Sequence, residues 1–528
     1  MRGRKLKSPF CEYYTKGKNK VLNNIVIKNY KKGCTIMDKN KDFVIQETTI
    51  KEVHKAMEEG RLTARKLVEM YLERIQAFDK KGPSLNSVIK INPKALETAD
   101  ELDKKFKERG FVGPLHGIPV MLKDNVDTGD METTAGSLSL EGVIPPDDAF
   151  LTRKLKEGGA IILAKVNLHE FAVWGETISS ILGQTLNPYD LERTPGGSSG
   201  GTGASIAANF GLVGIGTDTI NSIRSPASAC SLVGFRPTIG LVSRDGVVPY
   251  SLTQDTAGPI SRTVEDAARV LDVIGGYDPA DPITGWSVGR KPKSFMDCLK
   301  ANGLEGKRIG ILKSFFGKKP QHKEVNDLVM KSLKEMERAG AILVDIEENI
   351  DSDYLVKEVS VHMYDLKAHL GIYLESLGEL SQVHSLEDVI KSGKYHEGLD
   401  ENLKFARTLD VDTPIYNERL IKRLALRNQV MAIMAELKLD AIAYPHQKIP
   451  VVFVGEPQNE RNGVLGSVTG FPACSLPAGF TAPTETAPMG VPVGIEILGR
   501  EFDDGTLMEI AYSFEQATHY RKPPISTP

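Results

Sequence analysis

Gly117-Ile118-Pro119-Val120-Met121-Leu122, with Lys123 directly behind it, reads as a short strand buried on both faces. The run is too short for a helix and lacks the polar alternation of a half-exposed strand. Downstream, Phe150 to Glu157 has helical spacing, and Ala160-Ile161-Ile162-Leu163-Ala164 repeats the buried-strand pattern. Strand-length apolar runs alternating with helices predict an α/β fold.

The same alternation continues in both directions. Upstream, Thr49 to about Phe78 is helical in pattern: Leu67, Val68, Tyr71, Leu72 and Ile75 form one apolar stripe, and Thr63 suits an N-cap. Downstream lie a helix at Val264 to Ile274 and a βαβ-like unit made of Lys307 to Leu312, Lys323 to Ala339 and Ala341 to Ile346. Asp353 to Leu437 is mostly helical, rich in charge and without a chemical motif. Asp440 to Tyr444 and Val491 to Leu498 read as buried strands, and Gly505 to Gln516 as a closing helix.

Composition narrows the function. With 528 residues, 41% apolar, 26% charged and a net charge of -3, the chain reads as an ordinary globular protein. That balance offers no electrostatic case for a nucleic acid or a membrane surface. No stretch approaches the roughly 18 apolar residues of a membrane helix. Five dispersed cysteines without a CxxC pair suit reduced thiols, so a cytoplasmic setting is expected. The ten histidines never fall in HxxxH or HExxH spacing, which leaves a metal hydrolase without support. The first 36 residues stand apart, with ten Lys and Arg against the single acid Glu12. They read as a disordered tail or a start placed too far upstream, the alternative being a basic arm for a partner or surface.

Three segments carry side chains suited to chemistry. Lys123 ends a buried strand, where open α/β sheets place their sites, and apolar neighbours would lower its basicity toward that of a general base. The plain alternative is a lysine reaching solvent from a strand end. Gly196-Gly197-Ser198-Ser199-Gly200-Gly201 opens a stretch with eight glycines up to Gly216. It fits the GxSxG form of a nucleophile elbow, and its glycines and hydroxyls also suit a phosphate cradle. A P-loop lysine and a GxGxxG are both missing, so no nucleotide cofactor is expected. In Thr217-Asp218-Thr219-Ile220-Asn221-Ser222-Ile223-Arg224-Ser225-Pro226 a serine follows a tight turn, whose amides are candidate oxyanion donors. Asp218 and Arg224 flank that turn and are suited to pair across it. An elbow-type esterase would also need a late histidine, and only His446 and His519 are on offer.

Taken together, these segments resemble the amidase signature family from about Thr49 to Glu515. The likeness is carried by Gly113 to Asn125, Thr133-Thr134-Ala135-Gly136-Ser137, Asn187-Pro188, the glycine-serine block, the Thr217 to Pro226 turn, Phe471-Pro472-Ala473 and Pro492-Val493-Gly494. It implies one α/β domain with a large mixed, twisted sheet and helices on both faces. That domain spans residues 37–528, with its core at 49–290 and 438–518 and a helical elaboration near 350–437. It also implies amide hydrolysis without metal or cofactor. Ser222 is then the nucleophile, Ser198 a bridging serine in a cis peptide, and Lys123 the base. The oxyanion hole corresponds to the amides of Thr219, Ile220, Asn221 and Ser222, with Asp218, Arg224 and Ser199 in support. One departure is plain: Ile220 and Asn221 stand where members of the family commonly carry two glycines. A β-branched residue resists a left-handed backbone, so Ile220 is expected to be extended.

The partner implied is a small amide, with a homodimer possible on grounds of size. Two rivals stay open: the glutaminase (A) subunit of a tRNA-dependent amidotransferase, and an esterase using Ser198 as an elbow nucleophile.

Overall fold

The computed structural model describes residues 43–528, so the basic segment 1–36 lies outside the described residues. Two strands in the middle of one broad sheet position the site. In chain order the strands are β1 (Val88–Ile91), β2 (Pro119–Lys123), β3 (Ile161–Val166), β4 (Ile178–Ser179), β5 (Gly183–Gln184), β6 (Val213–Asp218) and β7 (Val233–Arg236). There follow β8 (Thr256–Ser261), β9 (Arg308–Leu312), β10 (Ile342–Ile346), β11 (Ala441–Pro445), β12 (Ala473–Phe480) and β13 (Pro492–Leu498). Eleven form one mixed sheet in the order β1-β3-β2-β6-β8-β7-β12-β13-β11-β9-β10, while β4 and β5 pair by themselves. β2 lies between β3 and β6 and is parallel to both, with Leu122 opposite Ile215 in β6. Both strands therefore end at the same edge, which brings Lys123 beside Thr217 and Asp218.

All residues of β2, β3 and β6 are buried, as expected for parallel strands covered on both faces. The helical stretch near the N-terminus is two helices, Ile50–Glu58 and Ala64–Arg74, with the chain turning between them. Each starts at a threonine whose side chain caps it, Thr49 within a full capping box and Thr63 by accepting from Lys66 N. The βαβ-like unit is β9, the helix Lys323–Arg338 and β10, with the two strands parallel. It belongs to the same sheet through β9 and β11. The sheet core therefore runs through residues 308–346, beyond the 49–290 and 438–518 expected from sequence.

The segment 350–437 is helical, with His362–Ser376, Leu386–Ser392, Asp400–Arg407 and Pro414–Glu436 as its main pieces. Leu366, Leu370, Leu374 and Leu403 pack against Ala135, Phe171 and Tyr250, which lie on loops of the sheet domain. Leu426, Val430 and Met434 join a second apolar cluster with Val464, Leu465 and Phe471, and Ile220 packs against its edge. These helices thus rest on the loops that surround the end of β6.

Candidate active site

Lys123 is fully buried at the end of β2. Its ammonium nitrogen donates to Ser198 Oγ at 2.8 Å and to Thr217 Oγ1 at 2.8 Å. Burial pushes its basicity down to about 7, although the carboxylates of Asp218 and Asp255 pull it back up. A lysine with that value exchanges its proton near neutrality, as a general base must.

The serine loop is set against β6 by small residues. In the helix Gly200–Ala207, a side chain at Gly201 would collide with the backbone of Asn167. Ser199 Oγ accepts from Thr217 N at 3.3 Å and donates to Thr217 O at 3.2 Å, tying the loop to the strand end. Thr177 Oγ1 donates to Gly196 O at 2.7 Å and accepts from Gly200 N at 3.0 Å, which closes the loop from the other side. The Gly197-Ser198 peptide is cis.

The loop Thr219 to Ser222 is held by a buried ionic network. The Asp218 carboxylate accepts from Ile223 N (3.0 Å), Arg224 Nε (3.1 Å), Arg224 Nη2 (3.0 Å) and Arg236 Nη1 (2.8 Å). Burial raises the Asp218 carboxyl, but Arg224 and Arg236 outweigh it and hold it well below the usual carboxylate range. Arg224 also bonds Glu496 and donates to Ile220 O at 2.7 Å. Glu496 in turn accepts from Tyr444 Oη (2.9 Å) and bonds His446 Nδ1 (2.6 Å). With its acceptors so occupied, this network fixes the carbonyl side of the turn. The amides of Ile220, Asn221 and Ser222 have no acceptor among the described residues. Neither Ile220 nor Asn221 has a positive φ, so the β-branched side chain sits without left-handed strain.

Ser222 is buried, and its carbonyl accepts from Ser199 N at 3.2 Å. The Lys123–Ser198 link is closed, whereas no hydrogen bond joins Ser198 to Ser222. Such links commonly tighten only once substrate is bound. The arrangement brings Lys123, Ser198, Ser199, Asp218, Arg224 and the Thr219 to Ser222 turn to one sheet edge. Sequence reasoning missed Thr217 as a partner of Lys123, Asn125, whose Nδ2 donates to Thr217 Oγ1 at 3.1 Å, and the clamps Thr177, Arg236 and Glu496. Only Thr217 and Asn125 carried a signal, each lying within a segment already singled out.

The elbow alternative does not match this geometry. The helix Gly200–Ala207 follows Ser198, but residues 194–197 ahead of it are loop rather than strand. His446 is spent on Glu496, and His519 is an exposed C-cap of the last helix, Asp504–Thr518.

Residues 66–508 match the family described as Amidase. The chain is 38% identical over 511 residues to a probable amidase of Arabidopsis thaliana, covering 91% of this chain and 92% of that one. It is 34% identical over 493 residues to the glutamyl-tRNA(Gln) amidotransferase A-subunit of Thermoanaerobacter pseudethanolicus, covering 90% and 97%. The crystal structure of native peptide amidase from Stenotrophomonas maltophilia superposes with a TM-score of 0.84 at 36% identity, covering 92% of this chain and all (100%) of that one.

Proposed function

The chain belongs to the amidase signature family and is an amide-hydrolysing enzyme, and from that premise we propose that it works through an acyl-enzyme on Ser222. Neutral Lys123 takes the proton of Ser198, which takes that of Ser222 as Ser222 Oγ attacks the amide carbon. The oxyanion formed rests on the amides of the Thr219 to Ser222 turn. Collapse breaks the C–N bond, and the proton returns through Ser198 to the leaving nitrogen, releasing ammonia or an amine. Water then adds to the acyl-enzyme by the same relay, releasing the acid and restoring Ser222.

The observation that carries this proposal is the 2.8 Å contact between a fully buried lysine of lowered basicity and a serine one loop away from Ser222. The turn amides without acceptors support the oxyanion role. A small amide substrate and a cytoplasmic setting complete the proposal, in keeping with free thiols at Cys230, Cys298 and Cys474.

A second reading, the glutaminase component of a tRNA-dependent amidotransferase, is favoured by the likeness to the Thermoanaerobacter pseudethanolicus protein. Turnover of amides by the isolated chain supports the stand-alone enzyme, and turnover only with partner proteins supports the second reading.

Intact-protein mass spectrometry after rapid mixing with primary amides and matched methyl esters tests the acyl-enzyme. The expected result is an acyl adduct mapped to Ser222 and lost in Ser222→Ala. An adduct on Ser198, or undiminished turnover by Ser222→Ala, contradicts the proposal.

A further inference from the structure

Close to the serine loop, Arg461 and Trp174 form a pair that the mechanism above does not use. The Arg461 side chain makes no hydrogen bond and no ion pair among the described residues, although the residue is only partly exposed. Its guanidinium stands over the ring of Trp174, 4.7 Å from the centroid, and Trp174 keeps 40% of its surface open.

Backbone contacts fix where this pair sits. A Cβ built on Gly175 would come within 3.1 Å of Arg461 Nη1. One built on Gly197 would come within 2.8 Å of the Gly175 backbone, so Gly175 lies against the Gly197-Ser198 peptide. Two residues beyond Arg461, a Cβ on Gly463 would come within 2.7 Å of Asn221 Cβ. The Arg461 segment therefore lies against Gly175, which borders the serine loop, and against the turn that carries Ser222.

The neighbours do not satisfy the cation. Glu176 is nearby, but its carboxylate accepts from Gln458 N (2.7 Å) and Gly175 N (3.2 Å) and forms no ion pair with Arg461. His169 and His362 lie within the field of Arg461, and burial keeps both imidazoles neutral at physiological pH, pushed down to about 3. Burial also lowers the basicity of Arg461, with Glu176 and Tyr250 opposing. A half-desolvated guanidinium, stacked on an aromatic face and lacking an acceptor, has its planar fork of donors free for a carboxylate.

We propose that Arg461, backed by Trp174, is a specificity residue that binds a carboxylate on the acyl part of the substrate. The preferred substrates are then half-amides of dicarboxylic acids and their amino-acid relatives. This inference rests on the Ser222 reading of the same site.

The test compares kcat/KM for succinamate, glutaramate and adipamate with that for butyramide, pentanamide and hexanamide, in wild type, Arg461→Gln and Arg461→Lys. A charge-assisted hydrogen bond contributes about 1.5 to 3 kcal/mol, so wild type should favour the best anionic amide over its neutral counterpart about 10- to 140-fold. Arg461→Gln should bring that ratio close to one, mainly through KM, and Arg461→Lys should retain part of it. A wild-type preference for neutral amides, turnover of none of the anionic series, or a ratio unchanged in Arg461→Gln overturns the inference. Ser222→Ala run alongside separates the two claims. If turnover requires Ser222 but the ratio ignores Arg461, only the carboxylate site fails; if turnover survives Ser222→Ala, the underlying reading fails.

Discussion

Replacing Lys123 by methionine should abolish activity and at the same time stabilise the protein at neutral pH. Burial lowers the lysine from 10.5 to about 7, against the pull of Asp218 and Asp255. At pH 7 the unfolded chain holds this proton almost completely and the folded chain only about half of the time. Removing it costs folding on the order of 4 kcal/mol at pH 7. The variant avoids that cost but loses two hydrogen bonds, to Ser198 and Thr217, at about 1 kcal/mol each. Lys123→Met should therefore be more stable than wild type by about 2 kcal/mol at pH 7. Between about 7 and 10.5 the unfolded state binds more protons than the folded one, so wild-type stability rises with pH there and is level below about 7. The variant lacks that slope, and the gap should close by about 1.4 kcal/mol per pH unit above neutrality. Urea denaturation of both proteins at a series of pH values measures it. The same proton governs activity: kcat/KM should rise with pH to a plateau, reaching about half of it at pH 7 and about a tenth at pH 6. A stability gap that is constant with pH, or kcat/KM that is flat from pH 6 to 8, refutes the assignment of Lys123 as a buried base.

Thr217→Val removes an acceptor of the Lys123 ammonium, so the rising limb of the pH–rate profile should move to lower pH, with kcat reduced about tenfold. Arg224→Met leaves Asp218 and Glu496 buried without their shared cation, and denaturation should show a loss of about 3 to 5 kcal/mol. Gly201→Ala forces a methyl group into the Asn167 backbone and should cut soluble yield and thermal stability, as read by a melting curve. His519→Asn, at an exposed left-handed cap, should leave kcat/KM within about twofold of wild type, whereas an elbow esterase relying on that histidine would lose its activity.

The parts of the fold that show in the sequence are those whose burial is written in side chains. β2, β3, β11 and β13 are near-continuous apolar runs, and Phe150–Glu157 and Val264–Ile274 keep helical spacing from end to end. β6 was hidden because Gly214 and Gly216 replace bulky strand residues there, leaving room for the helix Gly200–Ala207 to lie close against it. β8 and β12 were hidden by Pro259 and Pro477 within them, residues that ordinarily argue against a strand. The helix Ala95–Arg109 was masked by charges flanking its narrow stripe of Ala95, Ala99 and Leu102. At the site, Lys123 announced itself as a charge closing an apolar run, and Ser198 and Ser222 stood in glycine-rich or turn segments whose order matched a family. Glu496 could not be read in the same way, because it meets Arg224 across 272 residues of chain. Nor could the clamp at Thr177, which in the sequence is an ordinary threonine, although the structure gives it a φ of 58° and folds the serine loop over it.

The central claim, that Ser222 is a nucleophile driven through Ser198 by Lys123, is tested most directly by a fluorophosphonate probe with the labelled residue mapped by mass spectrometry, in wild type and Lys123→Ala. The account predicts label on Ser222 in wild type and little or none in Lys123→Ala. Label on Ser198 that is indifferent to Lys123 would contradict it.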